Sequence, residues 1–370
     1  MNIRRRRGWL SAVLLATVIT GSGSLVGPVS ANEFQFRAGP WLDLAVSATK
    51  FIPALGQVAE VVSGSQLTYS GKLTILLVGS DWRSNSTGER LDTIMVVSID
   101  SAKRIKAVSI PRDSARIPIA PSLGGGTYSG KINGMIQLFK KQAGGNRNAG
   151  LGRFKTEVEY LLDIKIDYLA YVRFGGFDAL VDEVSYVPVN IPYELRDPKY
   201  IDKPGWPTGA KFLASNNALL RGASAPRCYG GYPKPVSNWG PVMNCTRALV
   251  YVRSRKGNLV GCCTNNDYKR AARQQKFVYE GVKRVTDGYS GLPSGLRQLA
   301  NSRPLDIYTT IPSSSDVALW NKLNGSVFSP STDSRVFSPP SYANHIGGTS
   351  KNQLNLTAIR NLCDSWFDET

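Results

Sequence analysis

From Lys72 onward, apolar and polar positions fall into short runs that define elements. Leu73–Val78 is a nearly continuous apolar run closed by Gly79-Ser80, as in a buried strand. Thr93–Ile99 and Ile105–Ile110 are two more β-rich runs, and the polar link Asp100–Arg104 between them suits a hairpin. A glycine-rich loop at Gly124-Gly125-Gly126 precedes helical spacing over Asn133–Lys141 and Phe154–Leu162. Tyr168–Arg173 reads as a strand, Phe177–Val184 as a helix, and Val187–Ile191 as a proline-bearing strand. Residues 196–244, rich in Pro, Gly, Asn and Ser, are expected to be irregular. Ala248–Val252 is expected to resume a strand, and Tyr268–Val285 carries a clear helical period. Strands and helices alternate throughout, which defines an α/β class with a mixed sheet.

Outside this region the pattern changes. Arg4–Arg7, the apolar Trp9–Ile19 and the small residues Val29-Ser30-Ala31 make residues 1–31 a signal peptide or membrane anchor. A spanning helix needs about 20 apolar residues; Gly21, Gly23, Gly27 and Pro28 interrupt this one, which favours a cleaved signal. Residues 32–70 read as a connector with an amphipathic helix over Trp41–Val62, split at Pro53. Residues 71–290 form the expected main domain. Residues 291–370, with an amphipathic helix at Leu354–Phe367, are expected to complete it. The bulk of the chain is thus expected outside the cytoplasm, in the periplasm or cell envelope.

Composition then narrows the partners. With 42% apolar residues among 370, the chain can bury a real core, and disorder is set aside for most of it. The net charge of +18 points to a polyanionic partner such as anionic lipid, phosphate ester, acidic glycan or nucleic acid. The leader supplies only four of those charges, so the remainder is still basic. Nucleic acid is disfavoured by the export signal and the absence of a nucleic-acid motif. Of the five cysteines, Cys228, Cys245, Cys262 and Cys263 share one loop-rich stretch, where disulfides could tie down long loops. Cys363 stands apart. Zinc is the weaker alternative: the spacing matches no common site, and His345 is the only histidine.

The charged residues cluster at the ends of the expected strands. Asp81 and Arg83 follow the first, Arg90 and Asp92 precede the second, and Arg112 and Asp113 follow the third. Antiparallel pairing of consecutive strands would bring all six to one sheet edge. Carboxylates such as Asp81 and Asp92 suit Mg²⁺ or Mn²⁺ completed by substrate phosphates. Arginine forks suit the phosphate oxygens themselves. Arg253 and Arg255 would share one face of a strand end. Asp267, Arg270 and Arg273 open the long helix, where a bound anion could use the positive end of its dipole.

Six segments in order resemble the LytR–CpsA–Psr family. They are Gly79-Ser80-Asp81-Trp82-Arg83, Arg90-Leu91-Asp92-Thr93, Ser109-Ile110-Pro111-Arg112-Asp113, Lys131-Ile132-Asn133, Tyr251-Val252-Arg253-Ser254-Arg255, and Asp267 through Arg270 to Arg273-Gln274-Gln275. Two features depart from the pattern: a longer link, Lys256–Asn266, which carries Cys262-Cys263, and Leu91 where a small polar residue is commoner. The resemblance implies a mostly antiparallel central sheet flanked by helices (α/β/α), with an apolar lipid tunnel between sheet and helices. It implies metal ligation by Asp81 and Asp92, which with Arg90 and Arg112 would be catalytic. Pyrophosphate binding would fall to Arg90, Arg112, Arg253, Arg255 and Arg270, with Arg83 and Arg273 beside them. Asp113, Asp267 and Gln275 would support.

The function so implied is transfer of a glycopolymer from a polyprenyl-pyrophosphate carrier to peptidoglycan or another envelope acceptor, at the membrane surface and with Mg²⁺ or Mn²⁺. A hydrolase using the same site, or a non-catalytic binder of envelope polyanions, are the rival expectations. The binder alone would work without Asp81.

Overall fold

The computed structural model describes residues 71–81, 88–200, 209–225, 245–286, 292–329 and 332–367. All belong to one compact unit, Gly56–Thr370. The expected leader over 1–31, the connector over 32–70, Arg83 and Cys228 lie outside the described residues.

In chain order the strands are β1 (Leu73–Ser80), β2 (Leu91–Ile99), β3 (Ile105–Ser109), β4 (Ala115–Pro118), β5 (Thr127–Lys131), β6 (Tyr168–Arg173), β7 (Val187–Ile191), β8 (Leu195–Asp197), β9 (Ala210–Phe212), β10 (Ser215–Leu220), β11 (Asn258–Leu259), β12 (Cys263–Thr264), β13 (Ile307–Thr309), β14 (Ser334–Val336), β15 (Ala343–His345) and β16 (Asn352–Leu354). The α-helices are α1 (Met135–Gln142), α2 (Arg147–Leu162), α3 (Phe174–Glu183), α4 (Ala248–Arg253), α5 (Asp267–Thr286), α6 (Leu292–Ser302), α7 (Asp316–Leu323) and α8 (Leu356–Phe367).

The central sheet has the order β13-β6-β1-β2-β3-β14. The pairs β13–β6, β1–β2 and β2–β3 are antiparallel; β6–β1 and β3–β14 are parallel. The sheet is therefore mixed and mostly antiparallel. Both edge strands come from residues beyond 300, so the C-terminal segment closes the sheet on either side.

Alternation along the strands divides the molecule into layers. Leu76, Val78, Ile94, Val96, Val108, Leu169 and Tyr171 join a core with Ile136 and Phe139 of α1, Phe154 and Leu161 of α2, and Ile359 and Phe367 of α8. The opposite face is covered by α3, α4 and α5, whose apolar residues form a second core around Val181, Leu249 and Phe277. At the far end of that face, Leu73, Ile75, Ile99, Ile105 and Ala107 pack with Phe328.

Several sequence expectations need correction. Ala248–Val252 is helix, not strand: all five residues are buried, so a short buried helix shows no polar face and reads like a buried strand. Arg253 and Arg255 consequently do not share a strand face; Arg253 ends α4 and Arg255 lies two residues beyond it. Within the stretch expected to be irregular, β8, β9 and β10 are ordered strands of three to six residues, and the turn-rich composition around them hides their apolar alternation. Helix α2 begins seven residues before the expected start, because the Asn146 side chain accepts from the Ala149 N–H (3.0 Å) and caps it. The sulfurs of Cys262 and Cys263 bond to each other within the β11–β12 turn, so this bridge ties no long loop. Cys245 is disulfide-bonded, and Cys363 is a buried thiol of the core. Among the described residues no helix is long and apolar enough to cross a membrane.

Candidate functional site

The meander β1–β2–β3 places the charged residues at one edge of the sheet. Ser80 pairs with Leu91, and the Asp81 N–H donates to the Arg90 carbonyl (3.2 Å), closing the base of the intervening loop. The register slips there: Gly79 pairs with Thr93 and Ser80 with Leu91, leaving Asp92 as the extra residue on β2. A bulge of this kind re-aims a side chain at the end of a ladder. Gly79 makes the approach possible, since a Cβ there would lie 3.0 Å from the Thr93 Cβ.

Asp92, so presented, accepts from Arg112 Nη1 through both carboxylate oxygens (2.9 and 2.8 Å) and from Asn133 Nδ2 (3.4 Å). Asp267, the first residue of α5, is the second hub. Its carboxylate lies 3.1 Å from Arg270 Nη2, 3.5 Å from Arg255 Nη1 and 3.7 Å from Arg112 Nε. Arg270 also donates to the Asp92 carbonyl (3.3 Å), which joins α5 to β2. Burial opposes the charge of Arg112, but Asp92, Asp267 and Asp113 outweigh it and raise its pKa. Arg270 is only 5% exposed; burial dominates there and lowers its pKa despite Asp267. Arg112 Nε and Arg270 Nε are buried without a hydrogen-bond partner. Such atoms cost about 1–3 kcal/mol each.

Other expected site residues hold the frame. Asp113 accepts from Lys131 Nζ (2.5 Å) and anchors β5 beside β3. Gln275 donates to Ser109 Oγ (3.0 Å) and to the Arg335 carbonyl (2.8 Å), pinning α5 to the sheet. Arg273 donates to the carbonyls of Tyr251 (3.4 Å) and Ser254 and to Asn265 Oδ1 (2.9 Å), so it caps the end of α4. Burial pulls its pKa down to about 10. Neither Gln275, Asp113 nor Arg273 borders the cavity described next.

That cavity, of about 720 Å³, lies between the sheet and α3, α4 and α5. Asp81, Arg90, Asp92, Arg112, Arg253, Arg255 and Arg270 line one end of it. Beyond them its wall is apolar, and periodicity explains why. Leu77 and Gly79, Thr93 and Met95, and Ala170 and Val172 are alternate residues of three adjacent strands. Arg270, Gln274, Phe277, Val278, Gly281, Val282 and Val285 form a single stripe of α5 that turns from charged to apolar. Phe174, Phe177, Leu180, Val181 and Val184 bring the apolar face of α3 to the opposite wall.

Four residues of the site were not anticipated. Asp197 of β8, 2% exposed, accepts from Ser254 Oγ (2.7 Å) and from the N–H groups of Arg255 (3.1 Å) and Lys256 (3.0 Å), fixing the turn that presents both cations. Tyr200 accepts from Arg253 Nη1 (3.1 Å), while that guanidinium stacks 4.2 Å from the Phe174 ring centroid. Glu89 and Arg173 meet behind the edge, the former fully buried. Counting all of its wall, the cavity has eight cationic side chains against the three carboxylates Asp81, Asp92 and Asp197. Asp81 and Asp92 stand on neighbouring strands at the same end, an all-oxygen pair. Among the described residues there is no group of three or more His, Cys, Asp or Glu placed to hold a metal.

Fold and site together define an α/β/α protein whose sheet and helices enclose a cavity, cationic at the sheet edge and apolar within. The chain belongs to the LytR_cpsA_psr family, whose profile matches residues 47–301. It is 29% identical over 136 residues to the Bacillus cereus polyisoprenyl-teichoic acid–peptidoglycan teichoic acid transferase TagU, covering 36% of this chain and 40% of that protein. It is also 29% identical over 146 residues to the Bacillus subtilis transferase TagV of the same description, covering 39% and 33%. The chain thus aligns with less than half the length of these relatives. The crystal structure of B. subtilis TagV superposes with a TM-score of 0.53 at 21% identity, over 81% of this chain and 99% of that one, a likeness of fold.

Proposed function

We propose that this protein transfers a glycopolymer from a polyprenyl-diphosphate carrier to a hydroxyl of peptidoglycan or another envelope acceptor, outside the cytoplasmic membrane. The observation that carries the reading is the two-part cavity: a cationic end at the strand termini continuous with an apolar wall. A diphosphate joined to an isoprenoid chain has the same two parts. The relatives named as teichoic acid transferases support the reaction class, and the disulfides suit an oxidising compartment.

In this reading the isoprenoid lies along α3 and α5 and the diphosphate lies among Arg90, Arg112, Arg253, Arg255 and Arg270. The acceptor oxygen bonds to the glycan-side phosphorus. The bridging P–O bond breaks, and its electron pair leaves with the lipid phosphate. The acceptor proton passes to a carboxylate at the cavity wall, in this reading that of Asp92. Fixed guanidiniums that need no reorganisation supply charge stabilisation. Asp81 and Asp92 would hold Mg²⁺ or Mn²⁺: two protein oxygens leave room for the waters and phosphate oxygens such an ion takes. When bound, the ion would offset negative charge on the diphosphate.

The test is phosphate release from a polyprenyl diphosphate by the full chain, with Mg²⁺ or with chelator, beside Asp81→Ala and Arg112→Ala. Metal-dependent turnover lost in both variants is expected. Tight lipid binding without turnover, equal in wild type and Asp81→Ala, would replace the enzyme with a polyanion binder.

A further inference from the structure

The flank of the site beyond Arg112 is assembled from segments far apart in the chain. Asp113 follows Arg112, and the Asn352 N–H donates to the Asp113 carbonyl (3.2 Å), which lays β16 beside residues 113 and 114. Lys131 Nζ donates to Asp113 Oδ1 (2.5 Å) and to the exposed Ser350 Oγ (3.2 Å). Lys351 Nζ donates to the Ser129 carbonyl (3.4 Å). The β15–β16 hairpin is thereby fastened to β5 at the edge of the site. Ser350 and Asn352 lie beyond residue 301, where the match to the family profile ends.

Tyr268, the second residue of α5, completes this flank and is half-buried. Burial and the carboxylates of Asp267 and Asp113 raise its pKa, so the phenol keeps its proton. The Asn352 side chain opposes that shift by donating to the phenol oxygen. Asn352 is only 6% exposed and its Oδ1 makes no hydrogen bond, so the amide is committed through its nitrogen. The phenol oxygen is thus held by a buried donor, and its own O–H is the donor that remains. Both carboxylates that act on Tyr268 also stand beside Arg112: Asp267 lies 3.7 Å and Asp113 4.0 Å from Arg112 Nε.

Asp113, Lys131, Tyr268, Ser350 and Asn352 do not border the cavity, so the flank lies past its cationic end, away from the apolar wall. If a lipid diphosphate fills the cavity, what lies past Arg112 is sugar: the glycan on the outer phosphate, or the acceptor that attacks in line with the leaving lipid phosphate. An ammonium, a hydroxyl and a phenol are donors suited to sugar oxygens. Resting on the lipid-diphosphate reading, we infer that Tyr268, Lys131 and Ser350 form a saccharide subsite beside Arg112, in which the Tyr268 phenol donates to a sugar oxygen.

Three probes test this on the full chain. They are geranylgeranyl diphosphate, the same lipid diphosphate esterified with one N-acetylglucosamine, and an N-acetylglucosamine tetramer added to protein saturated with the bare lipid. Tyr268→Phe, which removes only the hydroxyl, is expected to weaken one or both saccharide probes about 3- to 10-fold, and to leave the bare lipid within about twofold. A loss on the esterified lipid assigns the subsite to the donor's glycan; a loss on the tetramer assigns it to the acceptor. Unchanged affinity for both saccharide probes would overturn the inference while leaving the cavity reading intact. An equal loss on all three probes would also overturn it, because the site as a whole would then be distorted. Failure of wild type to bind the bare lipid would overturn both readings. Should Tyr268→Phe melt well below wild type, Ser350→Ala at an exposed position decides: it should weaken a saccharide probe about 2- to 5-fold, and no change on either overturns the inference.

Discussion

Asp197→Asn should destabilise the protein and blunt its site, although Asp197 touches no residue of the Asp92–Arg112 pair. Its Oδ2 accepts three hydrogen bonds, from Ser254 Oγ, Arg255 N and Lys256 N, and Oδ1 accepts from Lys199 N (3.2 Å). The substitution keeps the shape but removes the charge. Three charge-assisted bonds become neutral, a loss of about 1 kcal/mol each. The new amide nitrogen must also face a donor, either Lys199 N or the Ser254 group, which adds about 1 kcal/mol. A total near 3–4 kcal/mol follows, and with residue 197 only 2% exposed, water cannot take over the lost role. For a domain of this size that is roughly a 6–8 °C fall in melting temperature. Arg255 and Lys256 would lose their fixed backbone, so diphosphate affinity should fall along with stability. Thermal unfolding read by circular dichroism checks the first part and probe titration the second. A melting temperature within 2 °C of wild type would refute the assignment of Asp197 as the anchor of this turn.

Further outcomes follow from other features. Gly79→Ala should cost about 1–2 kcal/mol and reduce turnover more than stability suggests, because its Cβ would press on Thr93 beside the bulge that presents Asp92; urea unfolding and a rate assay check this. Glu157, buried in α2, has its pKa raised to about 7 by burial, against the opposing N–H of Ala120. The folded state therefore holds a proton that the unfolded chain releases at lower pH. Stability from this group is present below the unfolded value near 4.5 and is lost as pH rises through 7. Urea unfolding across that range should show a decline in wild type that Glu157→Gln flattens. Val278→Trp, which fills the apolar part of the cavity, should abolish binding of a geranylgeranyl diphosphate while leaving inorganic diphosphate affinity within about threefold.

Much of this arrangement was legible in the sequence, for physical reasons that can be named. The β1–β2–β3 meander follows from apolar runs separated by a polar link, and its antiparallel order alone brings Asp81, Arg90, Asp92 and Arg112 to one edge. Helix α5 carries a long stripe, so its charged start and apolar continuation read directly from residue spacing. Helix α4 did not, because its five consecutive buried residues show no polar face. Asp197 was hidden by the proline- and glycine-rich stretch around a strand of three residues. Arg173 was overlooked because the partners that give it meaning, Glu89 and Ser80, are supplied by distant segments. Arg273 and Gln275 were read as members of the site, yet their hydrogen bonds go mainly to backbone carbonyls that fix α4 and α5 in place.

The distribution of charge also bears on the proposed lipid-diphosphate reading against that of a cationic surface. A binder of long polyanions needs exposed, mobile cations, each of which costs little to maintain. Here Arg270 is buried at the start of α5, where burial lowers its pKa and the carboxylates of Asp267, Asp92 and Asp113 oppose that shift. Burying a guanidinium in this way lowers stability, and so do the unpartnered Nε atoms of Arg270 and Arg112. The cost makes physical sense if an anion enters the cleft, because the same low dielectric that penalises the empty cluster strengthens its grip on a phosphate. The apolar wall beyond the cluster then limits which anion can use it. A free polyanion would gain nothing from Val278, Val282 or Phe177, whereas in the proposed reading an isoprenoid tail would bury them and carry its diphosphate to the end of the cavity where the arginines stand.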